Sequence, residues 1–540
     1  MTVLLTVGIL LPLAVAVVLL AIPALTGRAA VRLWIAASVA DLALVAWMWW
    51  RYDPGQGATG VVGDIAYEVD VRWIPTVDAG FHIGVDGLSL PLLALTGVLF
   101  LACAIWSLRE PDRPRTQAAL FLFLQTACMG TFAALDLILF FVFFDLTIVG
   151  MYFIIAGWGH GDARRSALKF FLYTFVGSLA LLVGFIGLFL GSEERTFDMV
   201  ALAQNPPLTD SPLAGGLVLL AIGLGLAVKT PLVPFHTWLP DAHTDAPAAG
   251  SAILAGILLK LGTYGFVRIA MPILPDAWQR WAMVVVVVGV FSVLWGAFVA
   301  LAQTNVKRMI AYTSVNHMGY VLLGLGAAGL VGSADEQSRT VAMVGAVYQM
   351  VGHGLLTGAL FLLSGVLWSR GRTYAFDRWG GLGRPAPVFA ALLAVAAFGS
   401  LGLPGFVSFI AEFQIFTGAL QAAPVGAVLA VTGILVTAGL FLVALQRLLT
   451  GPTVVPAALD DSSPDDEGAD AARSSSPTAD SATATAVRSR TDTGMRDVDG
   501  SELAAIVPLL VLAVLLGLFP RALLDVIEPA AEAVAQLVAR

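Results

Sequence analysis

The sequence predicts an all-α polytopic membrane protein of about fourteen transmembrane helices, each near the twenty residues a bilayer core requires. Composition is the first observation behind that class. Of 540 residues 58% are hydrophobic and only 12% charged, with a mean hydropathy of +0.87. The second is the recurrence of apolar runs of spanning length, which a soluble domain does not show. The third is that two of these runs are interrupted by proline and glycine at matching places. Such paired breaks predict two inverted five-helix repeats with a site between them.

In chain order the predicted spans are 3–22, 30–50, 86–107, 117–133, 135–157, 167–191, 212–233, 247–270, 279–302, 306–328, 340–368, 387–419, 425–449 and 503–520. No basic segment precedes the first apolar run, so it reads as an uncleaved helix rather than a signal peptide. Residues 1–115 hold spans one to three with an extracytoplasmic loop at 51–85. Residues 116–275 and 276–450 form the two repeats, made of helices 4–8 and 9–13. Residues 501–540 carry the last span and a tail. Between them, 451–500 is a polar linker, and from 456 it is rich in Ala, Ser, Asp and Thr. It has too little apolar surface to offset its ordering entropy, so disorder is expected. Much of the acid behind the net charge of -8 sits there, and no basic patch of the kind nucleic acid needs is present.

Basic residues in short loops set the expected sidedness. Loops after odd-numbered spans hold Arg28 and Arg32; Arg109, Arg113 and Arg115; Arg164 and Arg165; Lys307 and Arg308; and Arg370, Arg372, Arg378 and Arg384. Loops after even-numbered spans are poorer, with Arg51 and Arg72, Arg195, Arg268 and Arg280, and Arg339. The richer side is assigned to the cytoplasm, which puts both termini outside.

The first break lies in LAVKTPLVPFHTWLPDAH (Leu226 to His243), and the second in FGSLGLPGFVSFIAEF (Phe398 to Phe413). Proline removes a backbone donor, and freed backbone groups cannot face lipid. Each break falls in the fourth helix of its unit. Two unrelated proline kinks are the plainer alternative.

Lysine usage points to proton chemistry. Only four of the 29 basic residues are lysines, namely Lys169, Lys229, Lys260 and Lys307. The first three lie in or beside apolar runs. Arginine stays charged at any relevant pH, whereas a buried lysine can give up its proton. A charge in mid-span costs about 2.5–3.5 kcal/mol, so intramembrane polar groups should face one another or water. The candidates are Asp136, Asp145, Lys169, Lys229, Lys260, His317, His353 and Glu412, with His236 and His243 just after the first break. Asp145, in LFFVFFDLTIVGMYF, needs a partner; a static ion pair and a carboxylate tuning a nearby lysine both satisfy that need. Lys169, near a span end, can snorkel. His317 and His353 suit either a proton relay or hydrogen-bonded core positions. The spacing of His236 and His243 lacks the acid or cysteine cluster of a metal site. Cys103 and Cys128, both in apolar runs, are expected to pack as small hydrophobes. No CxxC, dinucleotide-binding, haem or P-loop motif occurs, so the chain is expected to move something rather than oxidise or hydrolyse it.

Several stretches resemble a known family. They are FHIGVDGLSLPL (Phe81 to Leu92), FFLYTFVGSLALL (Phe170 to Leu182), VKTPLVPFHTWLPDAHTDAPAAGSAILAGILLKLGTYGFVR (Val228 to Arg268), NVKRMIAYTSVNHMGY (Asn305 to Tyr320) and GLPGFVSFIAEF (Gly402 to Phe413). They resemble the antiporter-like subunits of respiratory complex I, a family that includes the large subunits of Mrp-type sodium/proton antiporters. The likeness runs from about residue 80 to 450. Glutamate at 412, where sister subunits and Mrp proteins usually carry lysine, points to one branch, as does Glu502 before the last span.

The resemblance implies a proton-translocating subunit of a bacterial plasma-membrane NADH:quinone oxidoreductase. It implies Asp145 paired with Lys229 as a switch, Lys260 as the central lysine and His236 and His243 between the two lysines. His317 and His353 would line the second half-channel, and Glu412 would be the terminal acid. It implies no cofactor in this chain, with FMN, iron–sulfur clusters and quinone in other subunits. The implied partners are the other membrane-arm subunits, with sister chains L and N on the flanks. Asp145 departs from the family's glutamate and is shorter by roughly 1.3–1.5 Å of reach. The alternatives are an Mrp-type antiporter subunit, a membrane-bound hydrogenase subunit, and a passive scaffold whose charges only fix helix packing.

Overall fold

The computed structural model describes residues 3–25, 27–54, 58–60, 63–109, 112–456 and 495–540. Most of the polar linker expected to be disordered, 457–494, lies outside the described residues. The chain is a helical bundle. Its first spans are α1 (Val3–Ala21), α2 (Arg28–Arg51), α3 (Ser89–Trp106), α4 (Pro114–Ala133), α5 (Leu137–Trp158) and α6 (Ala163–Gly191). A short α7 (Met199–Gln204) precedes the first broken span, made of α8 (Pro212–Lys229) and α9 (Leu239–Asp245). Then come α10 (Ala248–Ile273), α11 (Pro275–Leu301), α12 (Val306–Ala328) and α13 (Glu336–Gly371). The second broken span is α14 (Pro387–Ser400) with α15 (Val407–Ala422). α16 (Pro424–Leu449), α17 (Gly500–Leu518) and α18 (Arg521–Ala539) complete the chain. Each of the fourteen expected spans coincides with helix, twelve helices among the described residues are long and apolar enough to cross a membrane, and both breaks fall where the sequence places them.

Burial sorts the helices. The spanning windows of α10 and α13 are enclosed by protein on every side, whereas those of α1, α6 and α16 are mostly open. On α6 the exposed positions are Leu168, Leu172, Val176, Leu179, Val183, Ile186 and Leu190. Their three-to-four-residue spacing makes one apolar stripe, the pattern of a helix facing lipid. Between α11 and α12 the backbones touch at glycines. A Cβ on Gly296 would stand 2.6 Å from the Asn316 nitrogen, and one on Gly319 2.7 Å from the Gly289 oxygen. Small residues at such crossings allow the close approach that holds membrane helices together.

The loops after odd-numbered spans meet on one face, where Asn305 bridges Ala375 and Gly380 bridges Val454. We call it the arginine-rich face. The opposite, hairpin face holds a three-stranded antiparallel sheet of β1 (Ala58–Gly60), β2 (Gly63–Ile74) and β3 (Ala79–Val85). The sequence predicts only a loop over this segment. β3 continues into the bundle through bridges from Ile83 to Ala134 and from Asp136 to Asp198. Asp136, counted above among the intramembrane acids, is instead the N-cap of α5. Its carboxylate accepts from the amides of Ile138 (2.8 Å) and Leu139 (3.0 Å), and also of Gly80 in β3 (3.1 Å). Capping satisfies the orphan donors of a helix start, which is why the acid is tolerated there.

His82 of β3 ties the sheet to the bundle. Its Nε2 meets Glu68 at 2.8 Å and its Nδ1 bonds Asp198, the N-cap of α7. Burial disfavours the protonated ring, but Asp198, Glu68 and Asp70 outweigh it and raise the pKa from 6.5 to about 9. A raised folded-state value means the stabilisation is complete below pH 6.5 and lost as pH rises through about 9. Amide exchange in 63–85 is therefore expected to quicken as pH passes that value, beyond the intrinsic rise. His82→Gln should remove the excess; an identical profile in both proteins would refute the assignment.

The GVDGLSLPL stretch explains itself at the start of α3. Asp86 Oδ1 accepts from the amides of Leu88 and Ser89, each at 3.0 Å, while Oδ2 takes Arg268 Nη2. Arg268, expected in a loop, is buried in α10, and its Nε reaches the Tyr264 hydroxyl at 3.0 Å. Gly87 is required because α18 rests on it; a Cβ would lie 2.0 Å from the Val526 carbonyl oxygen. Removing one partner of a buried pair strands the other, at a cost of about 3–5 kcal/mol. Asp86→Ala is expected to lower the thermal stability of the assembled protein accordingly, and Asp86→Leu combined with Arg268→Leu by less. Equal losses would show that the pair itself is not what matters.

α18, which the sequence places in the tail after the last span, is an amphipathic helix. It buries Leu523, Ile527, Ala531, Val534 and Val538 against the hairpin face. Arg339, also placed in a loop above, is buried beneath it and donates to the Ala535 carbonyl at 3.3 Å.

Candidate functional site

The two enclosed helices carry the polar centre. α10 brings Lys260 and α13 brings His353, and Lys260 Nζ stands 2.5 Å from His353 Nδ1. The same amine donates to the Ala255 carbonyl at 2.6 Å. Around it α10 widens into π-helical turns at Leu254–Leu258 and Phe266–Ala270. A π-bulge re-aims backbone groups and is frequent at functional sites. His317, from α12, packs edge-on against His353 with ring centroids 5.3 Å apart. The backbone of Ser400, at the lip of the second break, lies alongside His317.

From these histidines the polar chain reaches Glu412 on α15. Gln349, one helical turn from His353, donates to Glu412 Oε1 at 3.5 Å. Tyr320, one turn from His317, packs on Phe416, one turn from Glu412, at 5.3 Å between rings. The second break is shaped around this acid. Gly402 has φ +77, and a Cβ there would stand 2.5 Å from Glu412 Oε2. Both the backbone angle and the space therefore call for glycine.

On the other side of Lys260, His243 stacks on Phe361 at 4.4 Å, with neither ring nitrogen hydrogen-bonded among the described residues. It lies within electrostatic reach of both Lys260 and Lys307. Lys307 corrects the loop assignment made above. It is fully buried, with Nζ donating to the Ala246 carbonyl at 2.5 Å and lying 5.0 Å from the Tyr374 ring centre. The resulting row, Lys307, His243, Lys260, His353, His317 and Glu412, runs through the enclosed helices to the second break.

Lys229 ends α8 at the first break. Its Nζ donates to Thr147 Oγ1 at 2.8 Å and sits 4.7 Å from the Phe144 ring centre. It makes no direct ion pair with Asp145, the partner that the resemblance implies. The cause is helical phase. Thr147 and Phe144 share the face of α5 toward Lys229, whereas Asp145 is turned toward Ser178 of α6, with Oδ1 unbonded. The two charges are still near enough to couple. His236 is also displaced from its expected place between the lysines. Its Nε2 accepts from Trp295 Nε1 at 3.3 Å, at the lipid-facing side of α11. Lys169 ion-pairs with Asp241 at 2.6 Å and remains 40% exposed, as a snorkelling residue does. Cys103 and Cys128 are buried free thiols.

Thr147, Gln349, Tyr320 and Lys307 are not among the site candidates the sequence singles out. Only Lys307 carries a signal there, as one of the four lysines.

Two interrupted spans joined by a buried lysine–histidine row define an antiporter-like membrane subunit. Residues 134–437 match the family described as "NADH:quinone oxidoreductase/Mrp antiporter, TM". NADH-quinone oxidoreductase subunit M of Rickettsia conorii is 40% identical over 382 residues, covering 70% of this chain and 74% of that one. F(420)H(2) dehydrogenase subunit M of Methanosarcina mazei is 37% identical over 422 residues, 77% of this chain and 81% of that one. Among solved structures, a chain of respiratory complex I from Thermus thermophilus superposes with a TM-score of 0.82, at 26% identity and 99% coverage of both chains. A chain of the Mrp complex from Dietzia shares the fold, with a TM-score of 0.78 at 22% identity over the whole of both chains. The chain belongs to the family of NADH-quinone oxidoreductase subunit M.

Proposed function

We propose that this chain translocates protons across the membrane as a non-redox subunit of an NADH:quinone oxidoreductase, driven by quinone reduction elsewhere in the complex. The observation that carries the reading is the contact of Lys260 with His353 between two helices closed to lipid, and of His353 with His317 from α12. A proton taken up on the Lys260 amine passes to the adjacent imidazole, then along the histidines to the Glu412 carboxyl. Imidazole suits this step because each ring nitrogen can take or give the proton near neutral pH. Lys229, at the first break, sets the local field. A positive Lys229 repels a proton on Lys260, and movement of Asp145 toward or away from it changes that repulsion.

FMN, iron–sulfur clusters and the quinone site are assigned to other subunits, with L- and N-type sister chains on the two flanks. The arginine-rich face is assigned to the cytoplasm and the hairpin face, with both termini, to the outside of the bacterial plasma membrane. The test is purification of the tagged chain followed by reconstitution in liposomes. A complex with NADH dehydrogenase activity that acidifies or alkalinises the lumen on NADH addition is expected, and Lys229→Ala should assemble without pumping. Recovery of the chain in a complex that exchanges sodium for protons without NADH oxidation would replace this reading with the Mrp-type one.

A further inference from the structure

Outside the two repeats, one acid is wholly enclosed by the first helices. Asp41 lies midway along α2 and is 0% exposed. α1 closes over it, since a Cβ on Gly8 would stand 3.6 Å from Asp41 Oδ1. From α4, Gln125 Nε2 donates to Asp41 Oδ2 at 2.5 Å. Oδ1 has no hydrogen-bond partner in the protein, and no cation pairs with the carboxyl among the described residues. A bare carboxylate in that place would cost several kcal/mol. A neutral carboxyl costs far less, and its O–H is a donor that can move.

Asp41, Gln125 and Ser38 form a short hydrogen-bonded row between α2 and α4, in which Ser38 Oγ donates to Gln125 Oε1 at 3.3 Å. One turn before Ser38, Trp34 packs on Phe121 at 4.8 Å between ring centres, and its Nε1 has no hydrogen-bond partner among the described residues. Both helices start at the arginine-rich face, so this row points from Asp41 toward that face. In the other direction Cys128, less than one turn beyond Gln125, lies within electrostatic reach of Lys229. A purely structural contact between α2 and α4 needs an amide or hydroxyl, not an acid.

We propose that Asp41 is a further proton-carrying group of this chain, loaded along the α2–α4 interface and delivering toward Lys229. In that step the Asp41 O–H breaks, the proton reaches the neutral Lys229 amine, and Gln125 Nε2 holds the carboxylate left behind until it is reloaded. The inference rests on the proton-translocating reading above. Its test uses the isolated holocomplex in liposomes, with D41N, D41E and, as a reference, K229A. Asparagine keeps the acceptor for Gln125 but cannot carry a proton. D41N is expected to assemble and to lose a carboxylic C=O band from the redox-induced infrared difference spectrum. It should also lower the proton-to-electron ratio, and D41E should restore both. A D41N complex that pumps at the wild-type ratio overturns the inference and leaves Asp41 a packing residue. If K229A also pumps normally, the proton-translocating reading itself fails; if K229A alone is defective, only the Asp41 inference falls.

Discussion

Lys260→Met is expected to abolish proton translocation while the complex still assembles. Methionine fills nearly the volume of the lysine stem, so α10 and α13 keep their packing. What is lost is the amine that lies 2.5 Å from His353 and 2.6 Å from the Ala255 carbonyl. Stranding those two groups costs about 1–3 kcal/mol each, a tolerable loss for a helix buried on every side. The functional loss is larger. A positioned proton donor or acceptor contributes roughly a hundredfold or more to the rate of its step. Quinone reduction coupled to that step should slow with it. Lys260→Arg is the sharper variant, because arginine supplies the charge and donors but cannot release a proton at any relevant pH. Pumping retained in Lys260→Arg, measured with a pH-sensitive dye in liposomes, would show that Lys260 serves only as a fixed charge.

The fold was legible because membrane insertion leaves few options. Twenty apolar residues can only be a helix or a buried run, and Pro231, Pro234, Gly402 and Pro404 mark the breaks in the sequence itself. The sheet was legible too, because YEVDVRW (Tyr67 to Trp73) alternates apolar and polar residues as a strand does, but the stretch lies between two spans and reads as a loop. What shapes it is the carboxylates that converge on His82 from β2 and α7. α18 was legible and overlooked. Its apolar residues recur at helical spacing from Leu523 to Val538, but the run follows a complete span and reads as a tail.

At the site, the lysine and histidine identities came from chemistry that a sequence states openly. Their contacts did not. Whether Lys229 meets Asp145 or Thr147 depends on two residues' difference in helical phase, about 200° of rotation on α5. No residue type announces that choice. His236 illustrates the same limit, since its ring turns toward Trp295 although it follows the break in the expected order.

The second large effect is expected at Glu412. Glu412→Gln keeps the side-chain length and the approach of Gln349, which lies 3.5 Å from Oε1, while removing the group that can take and give a proton. Pumping should be lost and the fold retained, since an amide avoids the cost of an enclosed charge. Gly402 provides an independent route to the same acid. Alanine there must adopt a φ near +77 and place its Cβ 2.5 Å from Glu412 Oε2, so either the break or the carboxyl must shift. The backbone strain alone is worth about 1–3 kcal/mol. Gly402→Ala, with Glu412 left in place, is therefore expected to lower the proton-to-electron ratio on its own. Wild-type pumping in Gly402→Ala or in Glu412→Gln would separate the second break from the proton path and leave Glu412 as a packing acid.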